Sequence, residues 1–213
     1  ELRVELEGGP LLVGRVEHVV ARDELLLQWY TPSSGANQRL KLVAWLHLLA
    51  AVASGHTVAG ARLVGYSSRG NSKRAGGDFL AFAGTAEEAC AALQGLAEVW
   101  RKARECPLPL FRKTSAAAGS VLERYKDDLT VPGARVRLTG AVAEGWGGGY
   151  SSSGDIHDRW ISTFFVDYNP IDHLGDQGEY SLIGLARRVW LPVQRGLREG
   201  KDLGFSWLEG ADG

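Results

Sequence analysis

Hydrophobic and polar positions alternate over LLVGRVEHVV (residues 11–20) and again over DELLLQWYTP, with Ala21–Glu24 between them. A period of two in both runs predicts a β-hairpin. Thr31-Pro32-Ser33-Ser34-Gly35 then stops the second strand, because proline has no ladder donor. The next run, NQRLKLVAWLHLLAAVAS, sets Leu, Val and Trp close together and predicts a largely buried helix to about Ser54. Asn37 caps its start and Gly55 takes the C-cap place. Upstream, Arg3–Glu7 alternates as RVELE, an edge strand, and Gly8-Gly9-Pro10 forms the turn into the hairpin.

Downstream, Arg62–Tyr66 and Phe79–Phe82 read as a second pair of strands joined by SSRGNSKRAGGD. Thr85-Ala86-Glu87-Glu88 is a capping box, and it opens a helix with Ala89, Leu93, Leu96, Trp100 and Ala103 on its inward face. Glu87, Glu98, Arg101 and Arg104 face out, and the helix ends before the extended connector Pro107–Leu110. Lys113–Asp128 predicts a small-residue helix capped by Thr114 or Ser115 and weakened at Gly119-Ser120. Arg135–Gly154 contains GWGGGYSSSG and reads as a loop exposing Trp146 and Tyr150. Asp158 then caps a helix, and Asp167–Glu179 is a turn-rich connector.

The last long helix runs from about Tyr180 to Glu199, with Ile183, Ala186, Trp190, Val193 and Leu197 inward. Pro192 kinks it and leaves the Arg188 carbonyl unpaired. Its outer residues Arg187, Arg188, Arg195 and Arg198 read first as a solvated face, next as a subunit contact, and last as a phosphate track. These elements predict one mixed α/β domain over residues 1–213, with a central sheet and helices on its faces.

Composition adds limits. At 213 residues and 45% hydrophobic content the chain buries a full core. It contains no Met, and Glu1 leads almost directly into a strand pattern, so the expectation is a piece cut from a longer protein. The 24 basic and 25 acidic residues give a formal charge of −1, so no global field draws in nucleic acid and any DNA contact is local. The candidates for phosphate contact are Arg69, Lys73 and Arg74, in a connection that Gly70, Gly76 and Gly77 make mobile; a solvated hairpin tip is the plainer reading. Trp146 and Tyr150 either stack on unpaired bases or cover a neighbouring surface, with the second favoured. Cys90 and Cys106 follow neither metal-ligand nor disulfide spacing, and His47 interrupts the longest apolar run before it reaches a membrane span. The expectation is a reduced, cytoplasmic protein away from the membrane.

Candidate chemistry is sparse. His18, His47 and His56 read as structural residues, and Asp155-Ile156-His157-Asp158 reads as the acidic lead into a helix, although three of its residues are potential ligands. No metal or cofactor is assigned, and no Gly-rich Lys-Ser/Thr phosphate loop occurs. Gly14-Arg15-Val16-Glu17 followed by Gln28-Trp29-Tyr30-Thr31 and a helix resembles the core of the PD-(D/E)xK nuclease family, a restriction-endonuclease-like fold. Catalytic members carry Gly-x-Ile-Asp and then Asp-Tyr-Lys-Thr in those places. They hold Mg²⁺ on carboxylates, with a lysine two residues after one of them on the same strand face to help activate water. The second strand here lacks both the acid and the lysine. Gln28 brings no charge, Tyr30 has a phenol pKa of about 10, and Glu17 alone is a poor cage for the ion. The resemblance therefore implies a nuclease fold without catalysis.

RLKLVAWLHLLAAVASG, the pair RLVGY and DFLAF, TAEEACAAL, PLPLF and RRVWLPVQRGLREG, taken in that order, are similar to the RecC C-terminal domain family. The likeness covers most of the chain, is strongest from Gly14 to Leu110 and is weakest from Leu129 to Gly154. RecC is the gamma subunit of exodeoxyribonuclease V, the RecBCD helicase-nuclease. The resemblance implies a non-catalytic scaffold that helps split duplex DNA and routes strands to RecB and RecD, which carry the ATPase and cleavage chemistry. Two rivals remain: an active metal-dependent nuclease using Glu17 with Asp155 or Asp158, and a protein-interaction domain without DNA contact.

Overall fold

The computed structural model describes residues 2–16, 19–21, 25–31, 38–67, 74–149, 152–176 and 178–199. Two compact units divide the chain. The first is Glu1–Gln94 with Gly196–Gly213, and the second is Gly95–Arg195.

In the first unit, β1 (Leu2–Glu5) pairs antiparallel with β2 (Leu11–Gly14), Leu2 opposite Gly14 and Glu5 opposite Leu11. Gly8 and Gly9, at φ +80° and +90°, make the turn that an ordinary side chain would strain, and Leu6 N–H donates to Pro10 O at 2.8 Å. The expected edge strand and its turn are present, but the expected hairpin is corrected in part. Leu11–Gly14 pairs backward with β1, and only β3 (Val19–Ala21) pairs with β4 (Leu25–Thr31), from Val19 opposite Leu27 to Ala21 opposite Leu25. Alternation gave the strands but not their partners, since either pairing satisfies a period of two.

The main sheet has five strands in the order β3-β4-β5-β6-β9, with β5 at Val58–Ser67, β6 at Arg74–Leu80 and β9 at Leu197–Glu199. β4 and β5 run parallel and the other neighbours antiparallel, so the sheet is mixed. A parallel pair needs a crossover, and α1 (Gln38–Ala53) supplies it. Leu27 and Trp29 of β4 and Ala61 and Leu63 of β5 are buried on one face, where the Trp29 ring meets His47 of α1 edge-on at 5.5 Å. Lys41 of α1 reaches Asp78 of β6 at 3.0 Å. Gly55 (φ +82°) ends α1, with Gly55 N–H donating to Val52 O and His56 N–H to Ala51 O.

Two boundaries differ from expectation. β5 and β6 extend beyond the apolar residues, so Gly76 and Gly77 lie within a strand opposite Gly65 and Val64. The last helix stops at Gly196, and the chain turns into β9 with Leu197 opposite Leu80. A Cβ on Gly196 would lie 2.6 Å from the Trp45 ring and 2.8 Å from Ala81 O, whose residue donates its N–H back to Gly196 O at 2.8 Å. Only glycine permits that approach.

α2 (Ala86–Glu105) begins with the expected box: Thr85 N–H donates to Glu88 Oε2 at 2.7 Å and Glu88 N–H to Thr85 Oγ1 at 3.2 Å. Ala89 and Leu93 are buried, but the stripe continues through Val99, while Trp100 is 60% exposed beneath the Arg104 guanidinium. Ala103 is exposed too. At 3.6 residues per turn the buried line takes a three-residue step after Leu96, which puts the tryptophan outside.

In the second unit, α3 (Thr114–Arg124), α4 (Ala134–Gly147) and residues 182–195 surround a core that includes Phe111, Leu122, Leu138, Val142, Trp146 and Ile183. The loop expected over Arg135–Gly154 is instead mostly α4, followed by the two-residue strands β7 (Gly148–Gly149) and β8 (Ser152–Ser153). Leu138, Val142 and Trp146 form an i, i+4, i+8 stripe, and all three are buried. The glycines are packing devices: a Cβ on Gly145 would lie 2.7 Å from Thr114 Cα, and one on Gly119 would lie 2.6 Å from Trp190 Cβ. Tyr150 lies outside the described residues.

The final helix is not a plain kinked one. α6 (Leu182–Leu185) widens into a π-turn over Ala186–Trp190, where Leu191 N–H donates to Ala186 O, before α7 (Leu191–Gly196) resumes. The widened turn comes just before Pro192, which has no N–H to give, and shifts the ladder register there. The arginine face is ion-paired within the chain. Arg187 pairs with Asp127 at 2.8 Å, Arg188 bridges Glu98 at 2.7 Å and Glu179 at 2.6 Å, and Arg195 meets Glu123 at 3.4 Å. The Arg198 side chain lies outside the described residues.

Candidate functional site

The site proposed from the sequence lies on the polar face of β4. Successive strand residues point to opposite faces, so burial of Leu27 and Trp29 puts Gln28 and Tyr30 together on the other side. The Gln28 amide donates to the Tyr30 hydroxyl, and the Tyr30 ring is 75% exposed. The parallel register sets Arg62 beside Gln28 and Val64 beside Tyr30. Glu17 lies outside the described residues.

β4 itself, Leu25–Thr31, offers a hard divalent cation no carboxylate on this face. An amide and a phenol that engage each other bring neither an anionic ligand nor an ammonium to this face of β4. Among the described residues no group of three or more His, Cys, Asp or Glu side chains converges on one point.

Asp155 and Asp158, the other acids considered, serve as helix caps. Asp155 is 4% exposed, and its Oδ2 accepts from Lys113 N–H at 2.8 Å, Thr114 N–H at 2.7 Å and Thr114 Oγ1 at 2.8 Å, closing the start of α3. The Lys113 ammonium donates to the Ser153 carbonyl in the same corner. Asp158 caps α5 (Arg159–Phe164), accepting from Trp160 N–H at 2.9 Å and Ile161 N–H at 3.4 Å, as the sequence predicts. The role of Asp155 had no local signal, because its partners lie 41 and 42 residues away.

Of the three residues nominated for phosphate contact, Arg74 opens β6, while Arg69 and Lys73 lie outside the described residues. Cys90 and Cys106 are free thiols whose Sγ atoms donate to the carbonyls of Glu5 at 3.4 Å and Lys102 at 3.8 Å. Trp146 is buried, not displayed, with its ring 4.9 Å from Phe111 and 6.1 Å from Tyr168. Tyr168 stacks on His173 at 4.6 Å, and burial, aided by Asp176, pushes its phenol up to about 12. Among the described residues no helix is long and apolar enough to cross a membrane.

No curated protein matches the chain. The family model of the RecC C-terminal domain matches residues 1–121, which include all of β1 through α2 and most of α3. That match covers more than half of the 213 residues, and the chain belongs to the RecC C-terminal domain family.

Proposed function

We propose that this chain is the nuclease-like part of a RecBCD subunit that acts in DNA repair as a scaffold and strand-handling element, without cutting DNA itself. Family membership supports the assembly, and the mixed α/β sheet with its β4-α1-β5 crossover is compatible with a restriction-endonuclease-like core. One observation carries the catalytic silence: Gln28 and Tyr30 lie side by side on β4 and hydrogen-bond to each other, where a cutting enzyme needs an acid and a lysine. In this reading RecB and RecD are the partners, and they supply cleavage and ATP hydrolysis. The near-neutral charge limits DNA contact to local patches, with Arg69, Lys73 and Arg74 as the candidate phosphate-binding group.

The test incubates the full chain with single- and double-stranded DNA in Mg²⁺ or Mn²⁺. Both substrates should stay intact, and metal-dependent cleavage that disappears in Glu17→Ala would establish the active-nuclease alternative. In complex with RecB and RecD, replacing Arg69, Lys73 and Arg74 by Ala should flatten the salt dependence of DNA binding by up to about three counterions. An unchanged slope removes these residues from the DNA path.

A further inference from the structure

α5 carries two apolar faces, and the core uses only one. Ile161 and Phe165 pack against the second unit's core, where the Phe165 ring lies 4.9 Å from Phe111. Trp160 and Phe164, four residues apart and therefore neighbours on the helix surface, point away from it and are 73% and 60% exposed. Val166 follows at 75% exposure, and Ile156 before the helix and Ile171 beyond it are exposed as well. Scattered exposed apolar residues need no explanation, but two large aromatics and three aliphatics are concentrated within residues 156–171, a density that marks an interaction surface. Beside it Phe164–Tyr168 and His173 line an open depression of about 420 Å³.

The rim identifies the occupant. Asp158, Asp167, Asp172 and Asp176 are all exposed in the same stretch: Asp167 lines the depression, Asp158 caps α5 and Asp176 meets His173 at 3.0 Å, while Arg159 is the one exposed guanidinium within residues 156–176. Four carboxylates against one guanidinium leave a net charge of −3 with the histidines neutral. A nucleic acid brings a dense row of phosphates and is repelled by such a rim. A polypeptide whose apolar anchors are flanked by lysine or arginine is complementary in both respects, with anchors for Trp160, Phe164 and the depression and cations for the aspartates. We infer that the α5 surface is a docking site for an apolar polypeptide segment with basic flanks. The inference stands apart from the reading of β4, because it uses only residues of the second unit and needs neither nuclease ancestry nor DNA.

The test uses the full chain and fluorescein-labelled synthetic peptides. One is an amphipathic leucine/lysine peptide and the other is its glutamate-for-lysine counterpart; a labelled oligothymidylate is the third probe. The lysine peptide should bind, weaken with salt, and protect amides of residues 156–176 from hydrogen exchange. The double variant Trp160→Ser/Phe164→Ser should lose at least about tenfold in affinity. Should that variant fail to fold, Asp167→Lys carries the test, and it should weaken the lysine peptide while flattening its salt dependence. Equal binding of the glutamate peptide, or unchanged affinity in both variants, overturns the inference. Oligothymidylate binding that depends on Trp160 and Phe164 would assign the surface to nucleic acid instead. Self-association lost in the double variant would assign it to a second copy of the chain, and either result refutes the basic-polypeptide assignment.

Discussion

Replacing Asp155 by Ala should unsettle the second unit more than almost any other substitution of a polar side chain there. Its Oδ2 accepts three hydrogen bonds of 2.7 to 2.8 Å in a site that is 4% exposed. Losing a helix cap costs about 1–2 kcal/mol. Each buried donor left without a partner adds about 1–3 kcal/mol, but the three bonds share one oxygen and do not add fully. The expected loss is about 3–4 kcal/mol, or about 6–16 °C in melting temperature for a chain of this size. Asp155→Asn keeps an acceptor but loses the charge assistance, and should fall about halfway. Urea denaturation followed by circular dichroism gives the free energies. Hydrogen exchange at Lys113 and Thr114 tests the cause, because their amides should lose protection before the rest of α3. An Ala variant within about 1 kcal/mol of the parent, or an Asn variant as damaged as Ala, would refute the capping account.

Two further outcomes follow from packing and burial. Gly119→Ala should destabilise by about 1–2 kcal/mol, because crowding of Trp190 outweighs the gain in helix propensity, whereas Gly140→Ala, with nothing within 4 Å of its added carbon, should be neutral or stabilising; denaturation midpoints compare them. The folded-state phenol of Tyr168 is raised to about 12 from an ordinary value near 10, so the protonated form favours folding: its contribution is intact below pH 10 and is lost as pH rises through 12. Discounted for partial exposure, the loss is about 1 kcal/mol, and Tyr168→Phe should remove that alkaline limb from a pH series of melting temperatures.

What could be read from the sequence was local. The capping box at Thr85 and Glu88, the Asp158 cap and the Gly55 helix end each depend on residues within a few positions, and each appears in the structure. The Gln28/Tyr30 pair was legible for the same reason, since strand alternation alone puts i and i+2 on one face. The misses involve distant partners. Nothing near Asp155 indicates that it closes a helix some 41 residues earlier, and nothing in Arg187, Arg188 or Arg195 names the carboxylates they meet. By propensity Gly145 and Gly119 argue against helix, whereas in the fold they let backbone and side chain approach more closely than any Cβ would allow. Trp100 shows the limit of periodicity, because one three-residue step in place of four moves the largest side chain from core to solvent.

The place of β9 bears on the order in which the sheet assembles. Strands β3 to β6 are contained within residues 19–80, but β9, which pairs with β6, is not made until residues 197–199. That closure spans more than a hundred residues, a long-range contact of the kind that slows folding. Until it forms, the outer N–H and C=O groups of β6 beside Phe79 and Leu80 present an open strand edge, the feature through which nascent sheets pair with the wrong chain. The sheet of the first unit is thus finished by a strand more than a hundred residues downstream of β6, and a chain that stops before Leu197 is left with that edge uncovered.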